Sequence, residues 1–250
     1  MQFIAGKKER LDKLLVELNV VATRAKARAL ILGGSVKIDS NIADKAGAVV
    51  KPGSVLEVSE KSEFVSRGGE KLKSALDHFH PDLDGKIALD VGASTGGFTD
   101  CLLKYGARKV YAVDVGYGQL AWELRNDPRI VVLERTNARN LQRDMFEEPP
   151  QFAVIDVSFI SLTLVLPATA AVLSADGEIM ALIKPQFEAG REHVGKGGVV
   201  RDDAVHRRVI QKISDFAADS GLLSRGVIES PLLGPAGNKE FFIYLAKPIG

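Results

Sequence analysis

The segment Ile87-Ala-Leu-Asp90-Val-Gly92-Ala-Ser-Thr-Gly96-Gly97-Phe98 decides the fold. Its first half is a short apolar run closed by a carboxylate, the pattern of a buried strand. Glycines then turn the chain into a helix that is expected to end near Gly106. Glycine lets a ligand approach the backbone, and a helix start offers amide donors and the positive end of its dipole. A Walker A loop is excluded, because no Lys-Ser/Thr follows Gly97. A dinucleotide loop fits poorly, since the spacing is G-x-x-x-G-G rather than G-x-G-x-x-G.

Outward from that segment, strands are expected at 86–91, 109–114, 130–134, 152–157 and 178–184, with helices or long loops between them. A helix carrying Leu72, Ala75, Leu76 and Phe79 precedes them, and another runs from a cap at Asp202 to a stop at Gly221. Further strands fall near 223–229 and 240–247. Alternation of strands and helices predicts an α/β fold with a parallel, doubly wound sheet. Asp114 closes the second strand, where a carboxylate suits the two hydroxyls of a ribose. Asn137 follows the third strand, where it suits an adenine edge. An Asp followed by G-x-x-x-G-G-F resembles the S-adenosylmethionine loop of class I (Rossmann-like) methyltransferases, whose cofactor has an ammonium but no phosphate. The expected cofactor residues are Asp90, Gly92, Ser94, Thr95, Gly96, Gly97, Phe98, Asp114, Asn137 and Asp156.

The acceptor chemistry is narrowed by what is missing. An adenine N-methyltransferase would carry Asn/Asp-Pro-Pro-aromatic after its fourth strand, and a cytosine-C5 enzyme would need a cysteine nucleophile. The fourth strand instead reads Phe152-Ala-Val-Ile-Asp156-Val-Ser158-Phe159-Ile160-Ser161. Cys101, the single cysteine, reads as a small core residue, and one cysteine excludes an internal disulfide or a Cys-based zinc cluster. Lys184 closes an apolar strand, which is costly unless it works or is paired. Lys71 and Glu240 can converge on it, and Asp156 shares its sheet edge. Such a Lys–Asp–Lys–Glu set suits a ribose hydroxyl, because a lysine desolvated beside another cation is a better base and carboxylates position it.

The first 60 residues have their own pattern. Leu11, Leu14, Leu15 and Leu18 recur at helical spacing, and Thr23 caps a second helix carrying Ala27, Leu30 and Ile31 that Gly33-Gly34 stops. Short strands follow around Val36 and Ile38, Val49-Val50, and Val55-Leu56 with Val58. The polar stretch 59–67 has little periodicity, and the linker is placed at 61–67, between a small domain at 1–60 and a larger one at 68–250. The chain carries 33 basic and 32 acidic residues, yet up to Arg67 there are 12 basic against 8 acidic. That local excess has the sign of an RNA-docking module on a near-neutral enzyme. Arg10, Lys13, Arg24, Lys26 and Arg28 are expected to face phosphates. Arg67, and Lys196 and Arg201 on a Gly-rich loop at 190–202 read as mobile, complete the expected RNA-binding set.

Taken together, several stretches resemble one known family, the TlyA-type rRNA ribose methyltransferases, also called hemolysin A-like, with an FtsJ-like (RrmJ-like) catalytic domain. They are Arg10-Leu-Asp-Lys-Leu-Leu, Thr23-Arg24-Ala-Lys26-Ala-Arg28, Val65-Ser-Arg-Gly-Gly-Glu-Lys71-Leu, Asp90 to Asp100, Asp156-Val-Ser-Phe-Ile-Ser, Ile183-Lys-Pro-Gln-Phe-Glu188 and Gly195-Lys-Gly-Gly-Val-Val-Arg-Asp202. The resemblance implies a small α+β S-four-type RNA-binding domain at the amino terminus, and S-adenosylmethionine-dependent 2′-O-methylation of cytidine in ribosomal RNA, 16S and/or 23S. It implies the catalytic set Lys71, Asp156, Lys184 and Glu240, and rRNA or ribosomal subunits as partner. Asp39-Ser-Asn41 departs from the Asn-Gly turn expected in such a module.

Two other classes remain as alternatives, a membrane-active hemolysin and a non-catalytic RNA-binding or ribosome-assembly factor. Against the first, the start shows no apolar signal segment and no run reaches about 18 apolar residues. Aromatic residues are 6% of the chain, which gives few interfacial anchors. A cytoplasmic protein without stable membrane association is expected. No metal is expected, because His193 and His206 lack ligand spacing. The sequence carries no signal for an oligomeric state.

Overall fold

A computed structural model describes residues 1–32, 34–43, 45–58, 63–234 and 236–248, and the chain divides into two units, Met1–Arg67 and Gly68–Gly250. The first unit contains β1 (Gln2–Ile4), β2 (Glu9–Arg10), α1 (Leu11–Glu17), α2 (Arg24–Leu32), β3 (Val36–Ile38), β4 (Asn41–Ile42), β5 (Val49–Val50) and β6 (Val55–Val58). Its main sheet runs β1-β6-β3-β4, all antiparallel, and β2 pairs separately with β5. Leu11, Leu14 and Leu15 of α1 and Ala27 and Ile31 of α2 bury against Val36, Leu56 and Val58. Thr23 caps α2, its Oγ1 accepting from Lys26 N at 3.3 Å, and Gly34 lies past the helix end at φ +73°. Gly33 and residues 59–62, including the start of the expected linker, lie outside the described residues.

The second unit follows with α3 (Arg67–Phe79), β7 (Ile87–Val91), α4 (Gly97–Lys104), β8 (Lys109–Val113), α5 (Trp122–Arg125), β9 (Ile130–Leu133), β10 (Phe152–Ile155), α6 (Leu166–Val172), β11 (Glu178–Ile183), α7 (Pro185–Glu188), α8 (Asp203–Asp219), β12 (Leu223–Glu229) and β13 (Phe241–Ala246). Arg67, the last residue of the expected linker, opens α3. The sheet order is β12-β13-β11-β10-β7-β8-β9. Every residue of β7 and β10 is buried, as expected of parallel strands covered on both faces. α8 begins where Asp202 accepts from Ala204 N at 2.8 Å and packs Val205, Val209 and Ile213 inward.

One expectation is corrected. The sheet is mixed, not all parallel, because β13 runs antiparallel to both β11 and β12. The cause is the connection 230–240, Ser-Pro-Leu-Leu-Gly-Pro-Ala-Gly-Asn-Lys-Glu, whose described residues form no helix to carry the chain back to the other end of the sheet. The chain therefore reverses and inserts β13 between two strands. That reversal places the start of β13, and with it Glu240, at the carboxyl edge of the parallel strands, where ligands of such sheets bind.

Candidate active site

β7 ends in the glycine loop. Asp90 is fully buried, with Thr99 Oγ1 donating to its Oδ2 at 2.6 Å, while Oδ1 has no hydrogen-bond partner among the described residues. Burial pushes its carboxyl up to about 7, opposed by the Thr99 bond and reinforced by the charge of Asp156. Gly92 turns at φ +89°, and a Cβ there would meet the Asp156 carbonyl oxygen at 2.4 Å, so the ends of β7 and β10 abut through a glycine. Gly96 precedes α4 at φ +95°, and Gly97 is that helix's buried first residue. Ser94 and Thr95 lie exposed between Gly92 and Gly96. Asp114 just beyond β8 is held by two backbone amides, Ser94 N to Oδ2 at 2.8 Å and Gly116 N to Oδ1 at 2.7 Å. The Phe98 ring turns into the core, 6.0 Å from that of Phe242. Asn137 is half-buried and caps a short helical turn, its Oδ1 accepting from Arg139 N at 3.1 Å.

The four residues expected to act on the substrate form two ion pairs. Lys184 Nζ lies 2.5 Å from Asp156 Oδ1 and donates to Ser158 Oγ at 3.0 Å. Lys71 Nζ donates to Glu240 Oε2 at 2.6 Å, and these two side chains are 9% and 0% exposed. β11 and β13 pair with Ile183 opposite Phe241, so Lys184 and Glu240 are neighbours one step past the last register pair. Asp156 follows Ile155 at the end of β10, which pairs with both β7 and β11. Glu240 Oε1 is buried without a hydrogen-bond partner among the described residues, and Gly234 leaves room beside it, since a Cβ there would stand 2.3 Å away.

Residues that sequence reasoning did not single out surround this set. Phe159 is 90% exposed at φ +63°, and its ring lies 5.0 Å from that of Phe187. The two rings follow Asp156 and Lys184 at the same spacing of three residues, a signal present in the sequence. Thr99 and Ser158 hold the Asp90 and Lys184 side chains through hydroxyl bonds, for which the sequence offers no comparable signal.

In the first unit, Arg10, Arg24 and Arg28 line a recess of about 560 Å³ together with Lys45, which composition alone had not distinguished. Asp12 forms part of its wall and ion-pairs with Arg10 and Arg24 at 3.0 and 2.6 Å. Lys26 is exposed outside the recess, and Lys13 stands 3.8 Å from Glu9. Arg67 is half-buried. The loop that carries Lys196 and Arg201 is a turn bridged between Gly195 and Val199. Buried Asn238 pins it, accepting from Val200 N and donating to Gly198 O, both at 2.9 Å. His206 Nε2 sits 3.0 Å from Val200 O. A loop expected from its glycines to be mobile is therefore anchored at its base, with Lys196 and Arg201 left exposed.

Comparison with known proteins agrees with this fold. The S4 domain pattern matches residues 9–56 and the FtsJ-like methyltransferase pattern residues 64–247. YqxC of Bacillus subtilis, named as an rRNA methyltransferase candidate, is 49% identical over 98% of this chain and 88% of its own. The 16S/23S rRNA (cytidine-2′-O)-methyltransferase TlyA of Mycobacterium tuberculosis is 47% identical over 96% of this chain and 90% of its own. A solved protein from Streptococcus thermophilus that carries a hemolysin label superposes with a TM-score of 0.76 at 44% identity, covering 97% of this chain and 90% of that one. With an α/β sheet that ends in this loop and a family match over most of its length, the chain belongs to the FtsJ-like methyltransferases, with an S4 domain at its amino terminus.

Proposed function

We infer that this methyltransferase modifies the 2′-hydroxyl of cytidine in ribosomal RNA, 16S, 23S or both, with S-adenosylmethionine as methyl donor, in the cytoplasm where ribosomes are built. The observation that carries the reading is the Lys184–Asp156 pair at the sheet edge beside Asp90. When bound, S-adenosylmethionine supplies an electrophilic methyl group on a sulfonium. The residues present fit it. Asp90 keeps a buried acceptor, Oδ1, for its ammonium, and the Asp114 carboxylate, held still by two amides, suits its ribose diol. Gly92, Ser94, Thr95, Gly96 and Gly97 offer backbone, as does Phe98, and the Asn137 amide is left for the adenine edge.

An alcohol is a weak nucleophile at neutral pH, so its proton needs somewhere to go. Lys184 Nζ, gripped by Asp156 and Ser158, is the group placed to hold or remove it. Lys71 and Glu240, more deeply buried, steady the ribose and balance the charge around that lysine. Phe159 offers an exposed face on which a base stacks. The recess of Arg10, Arg24, Arg28 and Lys45, with Lys13, Lys26, Arg67, Lys196 and Arg201, grips phosphates and so positions the RNA without reading much sequence.

The test is transfer of labelled methyl to free rRNA and to separated subunits from a strain lacking the modification, with the product mapped by its resistance to alkaline cleavage. Label at a cytidine ribose is expected, and Lys184→Ala should lower the rate by at least about 100-fold while the donor still binds. Label on a base, or none on any rRNA substrate, would overturn the reading.

A further inference from the structure

Glu188 is a buried carboxylate that neither the donor site nor the reacting pairs use. It closes α7, four residues after Lys184. Its Oε1 accepts from Leu162 N at 2.7 Å, and its Oε2 accepts from Ser161 Oγ at 2.7 Å and from Lys212 Nζ at 3.1 Å. Lys212, on α8, also donates to the Glu188 carbonyl at 3.1 Å. Ser161 and Leu162 end the loop that leaves Asp156. Glu188 therefore ties the segment after Asp156 to the segment after Lys184, and Lys212 braces Glu188 itself from the long helix.

These bonds close a ring. One closure is the 2.5 Å Lys184–Asp156 pair, supported by Ser158 on the same loop. The other is Glu188 on Ser161 and Leu162. Between them the loop carries Phe159 in a left-handed conformation, its ring on Phe187, which lies between Lys184 and Glu188. A non-glycine residue keeps such a φ only where its surroundings impose it. A carboxylate fully removed from water is costly, and here three donors satisfy it.

We propose that Glu188 is a positioning residue for methyl transfer, setting the spacing of Asp156 and Lys184 by clamping the loops that follow them. The proposal rests on the assignment of that pair to the reaction. It does not touch Asp90, Asp114 or the glycine loop, so its effect belongs on turnover more than on donor binding, to which Asp156 is the one expected contributor it shifts.

Three variants test it, Glu188→Ala, Glu188→Gln and Ser161→Ala. A displacement of about 1 Å in reacting groups costs on the order of 100-fold, so Glu188→Ala should lower kcat by about 30- to 100-fold. Donor affinity measured by calorimetry should fall far less than kcat, because Asp90, Asp114 and the glycine loop are untouched and Asp156 alone of the expected donor residues shifts. Glu188→Gln keeps an acceptor for Leu162 N and a partner for Ser161, and should recover most of the rate. Ser161→Ala removes one of the three bonds and should cost about 3- to 10-fold; it decides the matter if Glu188→Ala does not fold. Parental kcat in Glu188→Ala or Ser161→Ala, equal losses of kcat and donor affinity, or a Gln variant no better than Ala would overturn the proposal. A crystal structure of Glu188→Ala, or of Ser161→Ala if that variant alone folds, reads it without any RNA. The Lys184–Asp156 distance should open beyond the ion-pair limit of about 4 Å in Glu188→Ala, and should lengthen in Ser161→Ala. An unchanged pair sinks the proposal even if the substrate proves not to be rRNA.

Discussion

Thr99 Oγ1 donates to Asp90 Oδ2 at 2.6 Å in a fully buried setting, and no described residue donates to Oδ1. The protein thus holds a carboxylate out of water and half satisfied. In the unfolded chain this group ionises near its ordinary value of 3.8, whereas burial holds it protonated to about 7 in the folded one. Between those values the folded state binds more protons, so stability falls as pH rises and the full cost is present above 7. Asp90→Asn removes that ionisation and still accepts from Thr99. The variant without donor should be more stable by about 1–3 kcal/mol at pH 8 and unchanged near pH 4, as read by thermal unfolding. A lower melting temperature at pH 8 would contradict the assignment of strain to this carboxylate.

The same group sets a pH dependence for donor binding. An ammonium is recognised by the carboxylate, not by the neutral acid, so below about 7 binding must first expel a proton. Affinity for S-adenosylmethionine should fall by up to about tenfold for each pH unit below 7 and level off above it. Calorimetry at pH 6, 7 and 8, in buffers of different ionisation enthalpy, should show proton release at the low end. A flat profile from pH 6 to 8 would remove Asp90 from the ammonium site.

The two ion pairs should respond differently to truncation. Glu240→Ala leaves the Lys71 ammonium buried with no counter-charge, which costs about 3–5 kcal/mol. Lys184→Ala leaves Asp156, whose side chain is 23% exposed but whose Oδ1 is buried, without its counter-charge and should cost less, about 1–2 kcal/mol. Both should lose methyl transfer. Denaturant unfolding separates them: a Glu240→Ala protein as stable as Lys184→Ala would mean that the Lys71–Glu240 pair contributes nothing to the fold.

Much of this site was legible because strand ends carry it. Asp90, Asp114, Asp156 and Lys184 each close an apolar run, and a parallel sheet aligns such ends on one edge. Glu240 was legible as a charge opening a strand, but the reason it reaches that edge, the antiparallel insertion of β13, depends on strand pairing that local pattern does not encode. Phe98 illustrates the opposite failure. It follows the glycines as a loop residue would, yet its ring faces the core, because the helix has already begun at Gly97. Glu188, Thr99 and Asn238 act through hydrogen bonds to residues outside their own elements, and no periodicity announces those.

The basic recess of the first unit makes a quantitative prediction about RNA binding. Removing one cation that neutralises a phosphate should flatten the dependence of log affinity on log salt by about 0.7–0.9. Arg28→Ala and Lys45→Ala remove cations that line the recess, while Lys51→Ala removes an exposed one that lies outside it. The first two should each flatten the slope by about that amount, raising the KM for rRNA with kcat little changed. Lys51→Ala should change the slope less. Equal slopes for all three variants would mean that the recess is not where the phosphates sit.

The hairpin joining β3 and β4 offers a stability test in the same unit. Ile38 pairs with Asn41, so Asp39 and Ser40 form a two-residue turn, and both have positive φ, +49° and +65°. That conformation favours glycine, and the chain has none here. Asp39 compensates: its Oδ1 accepts from Val55 N at 2.8 Å and its carbonyl from Asn41 Nδ2 at 3.0 Å. Ser40 is exposed, and relieving its left-handed backbone is worth about 1 kcal/mol. Glycine returns part of that through the greater freedom of the unfolded chain. Ser40→Gly should therefore gain about 0.5 kcal/mol locally, seen as slower amide exchange across β3 and β4, whereas Asp39→Gly keeps the carbonyl that accepts from Asn41 but loses the side-chain bond to Val55 N, and should lose stability. Faster exchange in Ser40→Gly would show that the serine contributes more to the turn than its backbone costs.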